Sequence, residues 1–349
     1  MSSGLLAYSG IVTKVRAMQA RFLTEDDFRQ IVSLPDVPAV AAYLKKKPAY
    51  ESVLASEDCQ NLHRGQLEFD LMDTLLRDFE KIYHFSDDSQ RNFLLHYARR
   101  FEVRVLKDSL TRLLQGTGAP AEYRLFRHYF DRYSSIHVPD LLEAKTIDGW
   151  IAALKGSPYF EPMADVRKRN EQASLFDYET ALDLFHFRTI WQDREEIAGS
   201  RDNAEILTEF YGTKFDLLNL WYIYRAHKFY KMDKVDIYAL TIPVLYRLKK
   251  TDIRNLVEAP SEDAFGKILK TTWYGRTMAD LDPARLQYLY TRKCRDIVRA
   301  GTKKNPYSVA SLYCYLYLKE HEIYRLTSAL ECVRYRMVPA DAMKIVTLR

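Results

Sequence analysis

Apolar residues in this chain recur at intervals of three and four, the periodicity of a helix with one buried face. The clearest stripe lies near the C-terminus, through Val309, Leu312, Leu316, Ile323, Leu326, Leu330, Val333 and Met337, in a heptad register that gives one position to Lys319. Asn305-Pro306 just ahead of it reads as an N-cap followed by proline at the first helical position. A second stripe runs through Phe69, Met72, Leu76, Phe79 and Tyr83, and a third through Val103, Leu106, Leu110 and Leu113. Strand-like alternation is hard to find. The pattern predicts an all-α protein.

Two local patterns then repeat. In the first, a cap residue stands eight positions before a Leu-Lys pair, and a tyrosine follows: Asp36, Leu44 and Tyr50; Thr146, Leu154 and Tyr159; Ser261, Leu269 and Tyr274. Asp, Thr and Ser suit this place because their side-chain oxygens accept from the unpaired amides of a first helical turn. In the second, an acid precedes an apolar residue by one position and a leucine by four: Glu102 and Leu106, Asp216 and Leu220, Glu322 and Leu326. The two patterns alternate in the same order three times, with a period of about 110 residues. Either match alone would arise by chance, but two in step predict a triplicated helical unit. The expected modules are residues 1–115, 116–232 and 233–349, with breaks at 115–120 and around Lys231 to Lys234, and an approximate threefold internal form.

Composition sharpens this picture. Only 12 Gly and 12 Pro occur in 349 residues, against usual levels of about 7% and 5%, which leaves too few chain breakers for a sandwich or an α/β fold. With 47% hydrophobic residues the chain has ample material for a packed core. The net charge of +5 is mild and lacks the concentrated basic stripe of a nucleic-acid binder. The pairs and runs Lys45-Lys46-Lys47, Arg99-Arg100, Lys249-Lys250 and Lys303-Lys304 read as solvated helix ends, and they leave an acidic protein partner open. No apolar run is long enough to cross a bilayer, and the first residues lack a secretory layout, so the expectation is a soluble cytoplasmic protein. Cys59, Cys294, Cys314 and Cys332 show no paired spacing and are expected to be free thiols, mostly buried.

Catalytic and cofactor motifs are missing. Gly116-Thr117-Gly118 lacks the rest of a phosphate loop, and no Gly-x-Ser-x-Gly elbow occurs. His321-Glu322-Ile323-Tyr324-Arg325 begins like a zinc-protease helix, but Arg325 stands where the second histidine must be. The eight histidines are scattered, with no pair at i, i+4. No catalytic, cofactor or metal residues are therefore assigned. The recurring acids Glu102, Asp216 and Glu322 should lie at the edge of a buried stripe. A carboxylate there must bond the backbone or a basic side chain to be tolerated, which predicts a structural role.

The residues also carry a family likeness. Lys14-Val15-Arg16-Ala17-Met18 and Arg21-Phe22-Leu23 before Thr24-Glu25-Asp26-Asp27-Phe28 resemble the N-terminal helix of the C subunit of the bacterial and archaeal V/A-type rotary ATPases. The d subunit of the eukaryotic V-ATPase is of the same family. Phe215-Asp216-Leu217-Leu218-Asn219-Leu220 with Arg225 resembles that family's Asp-x-x-Asn-Leu helix, as does the stretch from Tyr315 to Val333. The likeness spans essentially the whole chain. It departs where Glu102 and Val105 replace the Asp and Asn, and where Arg325 replaces the Asn, which marks a divergent member.

The resemblance implies an all-helical funnel of three similar modules in pseudo-threefold arrangement, without catalytic activity or cofactor. It implies a place on the cytoplasmic face of the membrane-embedded proteolipid ring, receiving the foot of the central shaft (the D and F subunits) and passing torque between shaft and ring. A general helical-repeat scaffold for an unrelated protein is the other class considered. Its usual repeat of about 34 to 47 residues is far shorter than the period here.

Overall fold

Nineteen α-helices, one π-turn and one 3-10 turn make up the regular structure of the described residues, and no strand occurs among them. The structure is a computed structural model and describes residues 3–116 and 121–348. The break expected at 115–120 thus falls in part, at 117–120, outside the described residues.

The helices follow one another in a recurring order. A leading helix α1 (Ser3–Gln19) precedes two short ones, α2 (Glu25–Ile31) and α3 (Val37–Leu44). Another short helix, α4 (Glu51–Leu54), precedes two long ones, α5 (Arg64–Phe85) and α6 (Asp88–Gln115). The same succession follows as α7 (Ala121–Tyr133), α8 (Val138–Glu143), α9 (Ile147–Ala152), α10 (Phe160–Arg169), α11 (Leu175–Ala198) and α12 (Arg201–Arg225), which runs into a π-turn at Ala226–Tyr230. It comes again as α13 (Lys234–Leu240), α14 (Lys250–Val257), α15 (Glu262–Thr271), α16 (Trp273–Thr277), α17 (Leu286–Lys304) and α18 (Val309–Arg334), with a 3-10 turn at Pro283–Arg285 before α17. Helix α19 (Pro339–Leu348) closes the chain.

By contacts the chain forms two compact units, Met1–Leu94 with Arg295–Arg349, and Leu95–Cys294. In the first, α18 is the central helix, packed by α1, α2, α3, α5 and α19. It is buried on nearly every side over its first half, so its apolar positions exceed one stripe. In the second, α12 plays that part, packed by α11, α13 and α14. Its Leu217, Leu220 and Ile223 share a core with Leu256, Leu269 and Tyr274.

All three cap residues cap. Asp36 accepts from the Ala39 amide at 2.9 Å, Thr146 from Gly149 at 3.1 Å and Ser261 from Ala264 at 3.1 Å. Leu44, Leu154 and Leu269, which follow them, are fully buried. Two local expectations fail. Asn305 does not cap α18: its amide bonds the Gly301 carbonyl and so finishes α17. Ser308, in an extended conformation, caps the next helix. On α5 the deepest positions are Leu67, Leu71, Leu75 and Ile82; of the expected stripe Phe79 is buried, while Phe69, Met72, Leu76 and Tyr83 are half-buried. The apolar face of α5 is wide, and the sequence does not say which edge of it the neighbours cover. Cys294, Cys314 and Cys332 are buried free thiols, Cys59 a half-buried one.

Candidate functional site

The three signature acids sit on the second long helix of each succession, Glu102 on α6, Asp216 on α12 and Glu322 on α18, and all are buried. Their partner leucines Leu106, Leu220 and Leu326 are fully buried one turn later. A carboxylate so placed is stable only if hydrogen-bond donors replace its lost water.

The donors include the tyrosine of the other recurring pattern, one for each acid. Tyr159 donates to Glu102 Oε2 at 2.8 Å, Tyr274 to Asp216 Oδ2 at 3.0 Å, and Tyr50 to Glu322 Oε1. The sequence separations are 57, 58 and 272 residues, so in the first two cases the tyrosine follows the acid. For Glu322 the tyrosine comes from the opposite end of the chain, within the same compact unit.

Each lock is completed differently. Asp216 accepts the Tyr246 amide on Oδ1 at 3.1 Å, and the Arg247 and Leu248 amides on Oδ2 at 2.6 and 3.1 Å. It thereby pins the loop ahead of α14. Burial still pushes its carboxyl above the usual range, against the pull of these donors. Glu322 accepts the Leu23 amide on Oε2 at 2.6 Å, pinning the loop ahead of α2. Its charge is met by Lys319 Nζ at 3.2 Å, itself fully buried and lying 4.2 Å from the centre of the Tyr50 ring. The lysine that interrupts the apolar stripe of α18 is therefore the counter-charge of the lock. Glu102 takes a second tyrosine, Tyr129, at 3.3 Å on Oε1, and burial raises its carboxyl too. Burial and the adjacent carboxylate push the hydroxyls of Tyr50, Tyr159 and Tyr274 well above their ordinary value, so they remain donors.

In two of the three helices the position three residues after the acid forms another tie. Asn219 donates to the Ile242 carbonyl at 3.1 Å and accepts its amide at 2.7 Å. Arg325 instead bonds the Val346 carbonyl through Nε at 3.2 Å and grips Glu25 with two bonds of 2.9 Å, its guanidinium stacked 3.9 Å from the Phe28 ring centre. Arginine thus does in α18 what asparagine does in α12, tying the long helix to chain about 20 residues onward. Val105, the third member, is simply buried.

Sequence reasoning identified the acids and the tyrosines but did not pair them, and it missed the role of Lys319. The available signal was a lysine in an apolar stripe three residues before an acid, a spacing that sets both on one helix face. Beside the Glu322 lock opens a cleft of about 500 Å³, lined in part by Arg21, Phe22, Asp78, Tyr315 and Lys319. Tyr315 donates there to Asp78 at 2.5 Å. What the locks do chemically is hold: the hydrogen bonds join each acid-bearing helix to segments far along the chain.

The chain is similar along nearly its whole length to proteins of one family. The chain is 25% identical to the C subunit of the A-type ATP synthase of Methanothermobacter thermautotrophicus over 327 residues, covering 90% of this chain and 80% of that protein. It is 24% identical to the corresponding A-type ATP synthase protein of Thermococcus kodakarensis, covering 93% and 86%, and 21% identical to that of Methanocaldococcus jannaschii, covering 94% and 83%. The family model described as ATP synthase (C/AC39) subunit matches residues 11–344, nearly the whole length. With helices throughout and this match from end to end, the chain belongs to the ATP synthase (C/AC39) subunit family.

Proposed function

We propose that this chain is the central-rotor adaptor of a V/A-type ATPase or ATP synthase. In this reading it is a non-catalytic socket between the D and F subunits of the shaft and the membrane proteolipid ring, peripheral on the cytoplasmic face. The observation that carries it is the set of buried carboxylate–tyrosine locks on Glu102, Asp216 and Glu322. A coupling that passes torque must resist bending, and a buried charge-assisted hydrogen bond is stronger and shorter than a neutral one. Each lock fixes a long helix to distant chain at a point where slippage would strand a charge without partners.

The three-module organisation, 1–115, 116–232 and 233–349 in a pseudo-threefold funnel, is part of the proposal. The recurring order of helices and the three locks support it. A lock between Tyr50 and Glu322 also fits a ring of modules whose last interface is closed by the two ends of the chain. No helix among the described residues is long and apolar enough to cross a membrane, as suits a part that seats on a ring.

The test is reconstitution of the purified chain with a D–F complex and with detergent-solubilised ring. Binding to both, with no ATP hydrolysis by the chain alone, is the expected result. Failure to bind either partner would overturn the assignment and favour a helical-repeat scaffold for another protein.

A further inference from the structure

Arg225, the last residue of α12, is half-buried and has no carboxylate partner among the described residues. Its guanidinium donates to the Tyr230 hydroxyl at 2.7 Å. Two rings flank it, with centres 5.0 Å away for Trp221 and 5.5 Å away for Tyr230. The backbone makes this arrangement possible. Residues five apart on an α-helix point about 140° away from one another. The π-turn at Ala226–Tyr230 winds more widely and brings positions i and i+5 to one side. A break in helical winding, of a kind that recurs at functional sites, thus serves to hold an unpaired cation in place.

That cation lines a cavity of about 210 Å³ between α11, α12 and α13. The rings of Phe187, Tyr222 and Tyr230 form most of the wall, with Leu184 and Leu240. The other charge in the wall, Asp183, is already met by Lys107 at 2.6 Å. Burial and the Asp183 carboxylate push the Tyr222 hydroxyl up to about 12, so it stays a neutral donor. Every one of these residues belongs to a single compact unit, Leu95–Cys294.

We infer that this cavity binds a small monocarboxylic acid with an aromatic or short aliphatic body. The planar guanidinium matches a carboxylate through two parallel hydrogen bonds, and the rings and leucines replace water around the body of the ligand. Charge narrows the choice. Asp183 and Lys107 cancel one another, which leaves one positive charge on Arg225. A carboxylate balances it, whereas a phosphate dianion would carry an excess charge beside Asp183. Size narrows it further, because the cavity is smaller than the roughly 300–1,000 Å³ of sites for drug-sized ligands. A nucleotide or a lipid chain is too large. Binding here needs neither a shaft nor a ring, so the inference is independent of the rotor reading.

Titration of the full-length chain with sodium phenylacetate, followed by ligand-observed NMR near neutral pH, tests it. Saturable binding with a Kd on the order of 1 mM is expected for so small a ligand. The uncharged 2-phenylethanol should bind about tenfold more weakly, and phenyl phosphate more weakly than phenylacetate. Asp183→Asn removes the repelling carboxylate and frees Lys107, so it should improve phenyl phosphate binding. Arg225→Gln should weaken phenylacetate about tenfold. Tyr230→Ala separates binding from folding: the ring is 60% exposed, so the melting temperature holds while affinity falls about threefold as the guanidinium loses its clamp. No saturable binding of phenylacetate below about 10 mM overturns the inference. So does equal affinity for 2-phenylethanol, tighter binding of phenyl phosphate by the wild type, or phenylacetate binding that Arg225→Gln and Tyr230→Ala leave unchanged. A peptide ending in phenylalanine that binds more tightly than phenylacetate overturns it too, and assigns the cavity to the terminus of a partner chain.

Discussion

Tyr274→Phe deletes one oxygen from the most densely bonded of the three locks. The lost bond is a 3.0 Å donation to a buried carboxylate, and hydrogen bonds to charged groups contribute about 1.5–3 kcal/mol. Three backbone amides still hold Asp216, so the carboxylate is not orphaned and the loss stays near 2 kcal/mol. In a compact unit of about 200 residues this lowers the melting temperature by roughly 4–8 °C. Asp216→Asn is worse, because the new amide must turn its NH₂ toward either the Tyr246 amide or the Arg247–Leu248 pair, donor against donor. A cost of about 3–5 kcal/mol is expected, as for other broken buried charge sites. Urea unfolding of the wild type, both single variants and the double variant gives the coupling. Once Asp216 is replaced, Tyr274→Phe should add less than about 0.5 kcal/mol, within the additivity error for uncoupled sites. The pH dependence has a definite sign. Burial holds the folded carboxyl above its unfolded value, so the folded state binds this proton first as pH falls. The phenylalanine variant raises the carboxyl further, and its deficit therefore shrinks from neutral pH toward acid. Full additivity of the two substitutions, or a Tyr274→Phe variant as stable as the wild type, would refute the lock.

Lys319→Met removes the counter-charge of Glu322 and should destabilise the unit containing α18 by about 3 kcal/mol, read by thermal unfolding. Gly275→Ala would bring a Cβ within 2.3 Å of the Leu269 carbonyl oxygen and 2.5 Å of Lys270 Cα. Because backbone cannot step aside, a loss of about 2–3 kcal/mol and displacement of Tyr274 are expected, visible in tyrosine fluorescence and chemical denaturation. Asp70 is buried with Oδ2 unpartnered, and desolvation raises its carboxyl to about 6. Its ionisation therefore costs stability above that pH, and the cost disappears as pH falls toward the unfolded value near 4. Asp70→Asn should stabilise the protein by about 1–2 kcal/mol at pH 7.5 and by nothing near pH 4, in paired denaturation curves.

Much of the local structure was legible because its causes are local. The caps at Asp36, Thr146 and Ser261 depend on an oxygen and an amide three residues apart, and the sequence alone places them. The stripe of α18 follows from helical periodicity. Where two local solutions compete, sequence reading chose wrongly: Asn305 and Ser308 are both good caps, and only the end of α17 decides which one begins α18. The buried edge of α5 was missed for a similar reason. A helix with apolar residues on two adjacent faces lets its neighbours choose between them.

The sequence by itself determined that this protein is helical, where three of its short helices begin, and which acids and tyrosines recur. Helix periodicity and capping act over about four residues, within reach of one-dimensional reading. Only the tertiary structure decided that each acid takes a tyrosine from the other pattern, 57, 58 or 272 residues away. It also decided that Lys319 and Arg325, which look like faults in a stripe and a motif, supply a buried counter-charge and a tie to the chain's end. A buried carboxylate must be met by donors wherever the fold can bring them. Which residues meet it depends on the path of the whole chain.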